Sequence, residues 1–187
     1  MKRTISALTA LALCLSLAAC VSDSAVEGSV KTTADDTSIS TTLSLNEPFD
    51  AGYTERDLDG SWDAASAVNI SFDGDNAQID GTGAYFENSV LTITKEGVFV
   101  LSGVLSYGQV VIEASDTEKV QLVLNGVEIS CSNSAAINAV EADKLFITLA
   151  EGSDNTLIDG ASYALAEGED EPDACIFAKC DLTINGT

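Results

Sequence analysis

KVQLVLNGVEIS, residues Lys119–Ser130, sets two apolar runs on either side of Asn125-Gly126. Read alone it is a tight β-hairpin, because Asn-Gly supplies the two positive-φ positions that such a turn needs. Related strings recur, however: VLTITKEGVFVL from Val90, KLFITLAEGS from Lys144 and DLTINGT from Asp181. Aligned on their final glycines, Gly97, Gly126, Gly152 and Gly186, they repeat at intervals of 29, 26 and 34 residues. The longest interval holds the acidic insertion AEGEDEPD, Ala166–Asp173. Between the strings lie further short apolar runs (VFVLSGVL, QVVIEAS, SAAINAV, NTLIDG and ACIFAK) with no helical period.

A repeat of this length, made only of short strands and turns, predicts an all-β solenoid. Asn125-Gly126 is then a corner between two strands of one coil. Leu122, Leu124, Val127 and Ile129 are the candidates for the stacked interior, with partners one unit away, near Ile147 and Ile93. The alternative is a β-sandwich, whose strands recur about every 8–12 residues. Asp181–Thr187 opens a unit with no capping segment after it, so the coil is expected to be incomplete at its C-terminus.

The chain begins MKRTISALTALALCLSLAAC. A short basic start, an uncharged apolar run and Leu-Ala-Ala-Cys resemble a bacterial lipoprotein signal, with Cys20 as the lipidated first residue of the mature chain. The expected organisation is a signal peptide over 1–19, a flexible Ser/Thr/Asp-rich stalk over 20–48 and an all-β domain over 49–187. The expected location is extracytoplasmic, held on the cell membrane by a lipid anchor only.

Removing the leader takes two of the eight basic residues and none of the thirty acidic ones, so the mature chain carries six against thirty, a formal charge of −24. Such a surface repels nucleic acid and attracts divalent cations. It would meet an acidic polysaccharide only through them. Histidine is absent, which removes Ser-His-Asp and Cys-His catalysis and most zinc sites. Past Cys20 three cysteines remain, Cys131, Cys175 and Cys180. They allow at most one internal disulfide and are expected mainly as small buried residues.

Several strings together resemble a bacterial family of secreted carbohydrate-binding domains. They are ERDLDGSWD (Glu55–Asp63), VLTITKEGVFVLSGVLSYGQVVIEA (Val90–Ala114), KVQLVLNGVEIS, SAAINAVEADKLFITLAEGSDNTLIDG (Ser134–Gly160) and ACIFAKCDLTINGT (Ala174–Thr187). That family's fold is a right-handed parallel β-helix similar to pectate lyases. The resemblance implies binding of cell-wall glycans or acidic sugars, with calcium involved.

Glu55, Asp57, Asp59 and Asp63 alternate around Gly60 and offer oxygen ligands at a tight bend, as calcium requires. The position that an EF-hand gives to a bidentate Glu is Ser66 here. The competing reading is a solvated turn whose Asp side chains cap backbone amides. Asp73 and Asp75 form a second candidate metal cluster in DGDN, where Asp and Gly are also ordinary turn residues. Aromatic faces pack on sugar C–H groups, so Trp62, Tyr107 and Tyr163 are the candidate carbohydrate-binding residues.

The function expected is a cell-surface lipoprotein that binds polysaccharide, cellulose or pectin-like, with calcium. A calcium-dependent polysaccharide lyase is the first alternative. It would need a basic residue able to take a proton beside a carboxylate cluster at mid-coil. Arg56 lies in the acidic string, where paired carboxylates would keep it protonated, and none of Lys95, Lys119, Lys144 and Lys179 stands with such a cluster in the sequence. The second alternative is a non-binding structural surface protein or adhesin.

Overall fold

The structure is a computed structural model that describes residues 52–186. The expected signal peptide, Cys20 and the whole of the expected stalk lie outside these residues. A single helical turn, α1 (Glu55–Leu58), precedes twelve strands. They are β1 (Val68–Gly74), β2 (Asn76–Asp80), β3 (Ala84–Glu87), β4 (Val90–Ile93), β5 (Gly97–Leu105), β6 (Gln109–Glu113), β7 (Lys119–Ser130), β8 (Ile137–Glu141), β9 (Lys144–Leu149), β10 (Thr156–Ile158), β11 (Ile176–Ala178) and β12 (Asp181–Gly186).

The strands form two sheets. The larger has seven, in the order β12-β9-β7-β5-β1-β2, with β10 also paired to β7; the smaller has five, in the order β11-β8-β6-β4-β3. Both are mixed. β2 lies antiparallel to β1, and β3 antiparallel to β4, while the remaining pairs are parallel. The expectation of a right-handed parallel β-helix is therefore corrected. Two mixed sheets that share one core, each edged by an antiparallel hairpin strand, fit the β-sandwich alternative better. The repeat misled because its period has a second source. From β4 onward the strands alternate between the two sheets, β10 excepted, so similar strings recur wherever successive units pair in parallel.

The core lies between the sheets. Ile70, Leu101 and Leu124 occupy one cross-strand row of the larger sheet, and Phe99, Leu122 and Ile147 the next. They meet Leu91, Val110 and Ile137, and Ile93, Ile112 and Ala139, from the smaller sheet, all within one buried cluster. Val, Ile and Leu dominate because strands buried on a pleated face select branched side chains.

Asn125-Gly126 is neither a hairpin tip nor a coil corner. β7 runs unbroken through it, and two residues there face one on β5, because Leu101 pairs with Leu124 while Gly103 pairs with Val127. This is a bulge, with Gly126 at φ +72°. The Asn155 side-chain oxygen accepts hydrogen bonds from the Gly126 and Val127 amides, each at 3.0 Å, so the bulge leaves neither donor orphaned. Leu122, Leu124, Val127 and Ile129 are all buried as expected. Leu122 pairs with Ile147 as expected, whereas its other neighbour is Phe99 of β5; Ile93 lies in the smaller sheet. Cys131 is buried, Cys175 and Cys180 are half-buried, and all three are free thiols. Burial pushes the Cys175 and Cys180 thiols up from their usual range.

Candidate functional site

The outer face of the larger sheet, away from the shared core, holds the residues that could meet a ligand. Its two halves differ. Over β7, β9 and β12 it is covered by the chain that precedes β1. Thr54 opens α1 and donates from its amide and its hydroxyl to Asp57 Oδ2, at 2.9 and 2.8 Å. Asp57 Oδ1 accepts from Thr183 Oγ1 at 2.6 Å and pairs with Lys144 Nζ at 2.5 Å. The Lys144 ammonium, then the Thr183 and Thr54 donors, hold the Asp57 carboxyl far below the usual carboxylate range.

From there a polar chain crosses the strands. Arg56 Nη2 donates to Gln121 Oε1 at 2.9 Å, Gln121 Nε2 to Thr148 Oγ1 at 3.0 Å, and Thr148 Oγ1 to Asn185 Oδ1 at 2.8 Å. Gln121 and Thr148 are almost fully buried and satisfied. Phe146 lies beneath two cations, Arg56 at 5.1 Å and Lys144 at 5.4 Å from its ring centre. Trp62, half-buried, packs with Ala67 and Val98 against Val100, Val123 and Ala150.

The first group of expected calcium ligands is thus part of a structural cover. Asp57 is buried and ion-paired. Asp59 Oδ1 accepts from the Ser61 amide and Asp63 Oδ1 from the Ala65 amide, each at 2.9 Å, and Glu55 is exposed. Hydrogen bonds from Ser61 also lower the Asp59 carboxyl. This is the turn-capping arrangement. Among the described residues, no three His, Cys, Asp or Glu side chains come together in a metal-holding group. Asp73 and Asp75 lie apart from the others, at the β1–β2 turn.

Over β2, β1 and the Ser102 end of β5 the same sheet face is open. Alternation along each strand sends Ile70, Phe72, Ala77 and Ile79 into the core and the residues between them outward. Asn69 faces Asp80, Ser71 faces Gln78 and Asp73 faces Asn76, with Ser102 of β5 beside Ser71. The result is two adjoining shallow cavities. One, about 370 Å³, is lined by Asn69, Ser71, Gln78, Asp80 and Ser102 with adjacent backbone. The other, about 510 Å³, is lined by Ser71, Asp73, Asn76 and Gln78. Neither is lined by Lys or Arg.

Tyr107 is exposed at the turn between β5 and β6. Tyr163 is half-buried, and its hydroxyl donates to Asp159. That carboxylate, then burial, pushes the phenol up to about 12. Trp62, Tyr107 and Tyr163 therefore do not form one aromatic platform. Sequence reasoning passed over the open face, although Asn69, Ser71 and Asp73 and then Asn76, Gln78 and Asp80 alternate strictly in NISFDGDNAQID.

A rigid sheet face carrying paired amides, hydroxyls and carboxylates suits a ligand rich in hydroxyl groups. The family model of carbohydrate-binding domain-containing proteins matches residues 87–187, and the chain belongs to that family. A carbohydrate-binding domain-containing protein of Acetivibrio thermocellus is 36% identical over 121 residues, which are 64% of this chain and 42% of that protein. The structure of a polysaccharide lyase-like protein from C. thermocellum, a gadolinium derivative, matches with a TM-score of 0.63 at 34% identity, covering 65% of this chain and 50% of that one. The chain thus spans half or less of the length of these two relatives. Of the open face, Ser102 lies within the matched family segment, while Asn69–Asp80 precede it.

Proposed function

We propose that the domain is the polysaccharide-binding part of a lipoprotein held at the cell surface through Cys20, and that the glycan lies on the open face of β2, β1 and β5. The observation that carries this reading is the paired row Asn69/Asp80, Ser71/Gln78 and Asp73/Asn76, whose polar groups stand free beside satisfied neighbours. Membership of a carbohydrate-binding family supports it. A neutral polymer such as cellulose meets this face directly. A pectin-like polymer would face Asp73 and Asp80 with no cation beside them, so calcium enters the proposal as the bridge, at Asp73 with Asp75 close by. A binding role is favoured over a lyase because four of the five basic side chains among the described residues are engaged elsewhere: Arg56 on Gln121, Lys144 on Asp57, Lys119 on Asp143 and Lys179 on Glu171. The fifth, Lys95, lies in the β4–β5 turn and lines neither cavity of the open face.

The test is retention of the full chain on cellulose and on polygalacturonate, with calcium and with EDTA. Cellulose is expected to retain it under both conditions, and polygalacturonate only with calcium. Asn69→Ala/Gln78→Ala should lose at least fivefold in affinity, and Cys20→Ser should leave the membrane fraction. If neither polymer retains the chain with calcium present, the reading fails. Growth of unsaturated uronide absorbance would make it a lyase instead.

A further inference from the structure

A second, smaller cavity lies away from the open face, at the edge where turns of the two sheets stack. It holds about 90 Å³ and is lined by Asn88, Ser89, Tyr107, Gln109, Ser132 and Asn133, among others. Three features set it apart. Tyr107 lines it with 72% of its surface exposed, so most of the ring is open to a ligand. Gln109 lines it, and the Gln109 Oε1 atom is buried with no hydrogen-bond partner. Buried acceptors are ordinarily satisfied, so an orphan on a side chain that lines a polar cavity marks a place for a donor, which a turn of the Gln109 amide toward the cavity would bring within reach. Finally, Asn88 and Ser89 both adopt positive φ, +51° and +62°, in the β3–β4 turn. Ser89 pays for that conformation without being glycine. Its carbonyl accepts from the Gln109 amide at 3.2 Å, and a Cβ on Gly108 would come within 2.1 Å of the same oxygen. The turn and the backbone of Gly108 and Gln109 are therefore locked together, which fixes where the Gln109 side chain starts.

We propose that this cavity is a second carbohydrate subsite, taking a neutral sugar whose ring lies on Tyr107 and whose hydroxyl or hydroxymethyl O–H donates to Gln109 Oε1. The inference rests on the carbohydrate-binding reading but not on the open face. At about 90 Å³ the cavity is much smaller than the open-face cavities of about 370 and 510 Å³, so a substituent is seated in it and the ring stays outside. An aromatic face packs well on the C–H face of the ring outside. A uronate carboxylate is the wrong group here, because it brings an acceptor to an acceptor. The Ser106 amide bonds the Gly74 carbonyl at 3.0 Å, which ties this turn to the end of the β1–β2 hairpin that carries the open face. Two subsites on one rigid frame raise the retention of a long polymer well above that of either alone.

The test is a titration of the isotope-labelled full chain with cellohexaose, following the side-chain amide signals of Gln109. Those signals should shift on titration, and should still shift in Asn69→Ala/Gln78→Ala. Tyr107→Ala and Gln109→Leu should each weaken cellohexaose binding three- to tenfold. Gln109→Leu should keep or raise the melting temperature, because it removes an unsatisfied buried acceptor. Unchanged affinity in both variants, with no Gln109 shift, overturns the second subsite. Continued binding that is lost only in Asn69→Ala/Gln78→Ala would leave the open face standing. Failure of the unaltered chain to bind cellohexaose, cellulose or polygalacturonate overturns both readings.

Discussion

The two halves of one sheet face answer the same problem in opposite ways. Over β7, β9 and β12, polar side chains are buried beneath residues 54–67 and mostly paired: Gln121 and Thr148 each have partners on both sides, and Asn185, which accepts from Thr148, keeps one buried amide donor without a partner. Over β2, β1 and β5, polar side chains of the same kinds stand open. Polarity alone therefore does not mark a binding face. What marks it is hydrogen-bonding capacity left free and in the open, because groups that are paired or under cover offer a ligand little.

The sharpest way to break this contrast is to damage the covered half. Phe146→Ala removes the ring beneath Arg56 and Lys144 and is expected to cost about 3–5 kcal/mol in chemical denaturation. A loss below about 1 kcal/mol would mean that the cover barely depends on it. Next comes Asp57→Asn, read against pH. The folded carboxyl sits below its ordinary value of 3.8, so its contribution is full above that value and lost as pH falls through the folded-state range. The variant should melt lower at pH 7 and show a shallower loss between about pH 5 and 2. Parallel pH profiles would remove the ion pair from the account. The smallest effect is expected on the open half. Ser71→Ala should change stability by no more than about 0.5 kcal/mol while weakening cellulose retention.

Much of this was legible in the sequence. The repeated strings located parallel neighbours, since Leu122 does pair with Ile147. The four interior positions of β7 were readable from alternation and branched side chains. The number of faces was not, because a period of about thirty residues says how often the chain returns and not how many sheets it visits on the way. Glu55–Asp63 looked like a calcium loop because local spacing was all that could be weighed. Its deciding partners, Lys144 and Thr183, are far away in the chain. Conversely, Asp73 and Asp75 in NISFDGDNAQID stood out as metal ligands or turn residues, although the two alternating polar rows around them were already the open face. Tyr107 was singled out from its residue type. Gln109 carries no sequence signal, since an orphaned acceptor exists only once its neighbours are in place.

The contact between Asp57 and Thr183 closes 126 residues of chain. Its two ends are near the beginning and the end of the described fold, so no stretch of the sheet can earn that contact until the strands between have paired. Long-range closures of this kind slow folding, because the ordering precedes the reward. The acidic string therefore emerges early and settles late. It acts as a seal over a sheet already laid down, and Phe146 lies open to its surroundings until the seal is in place.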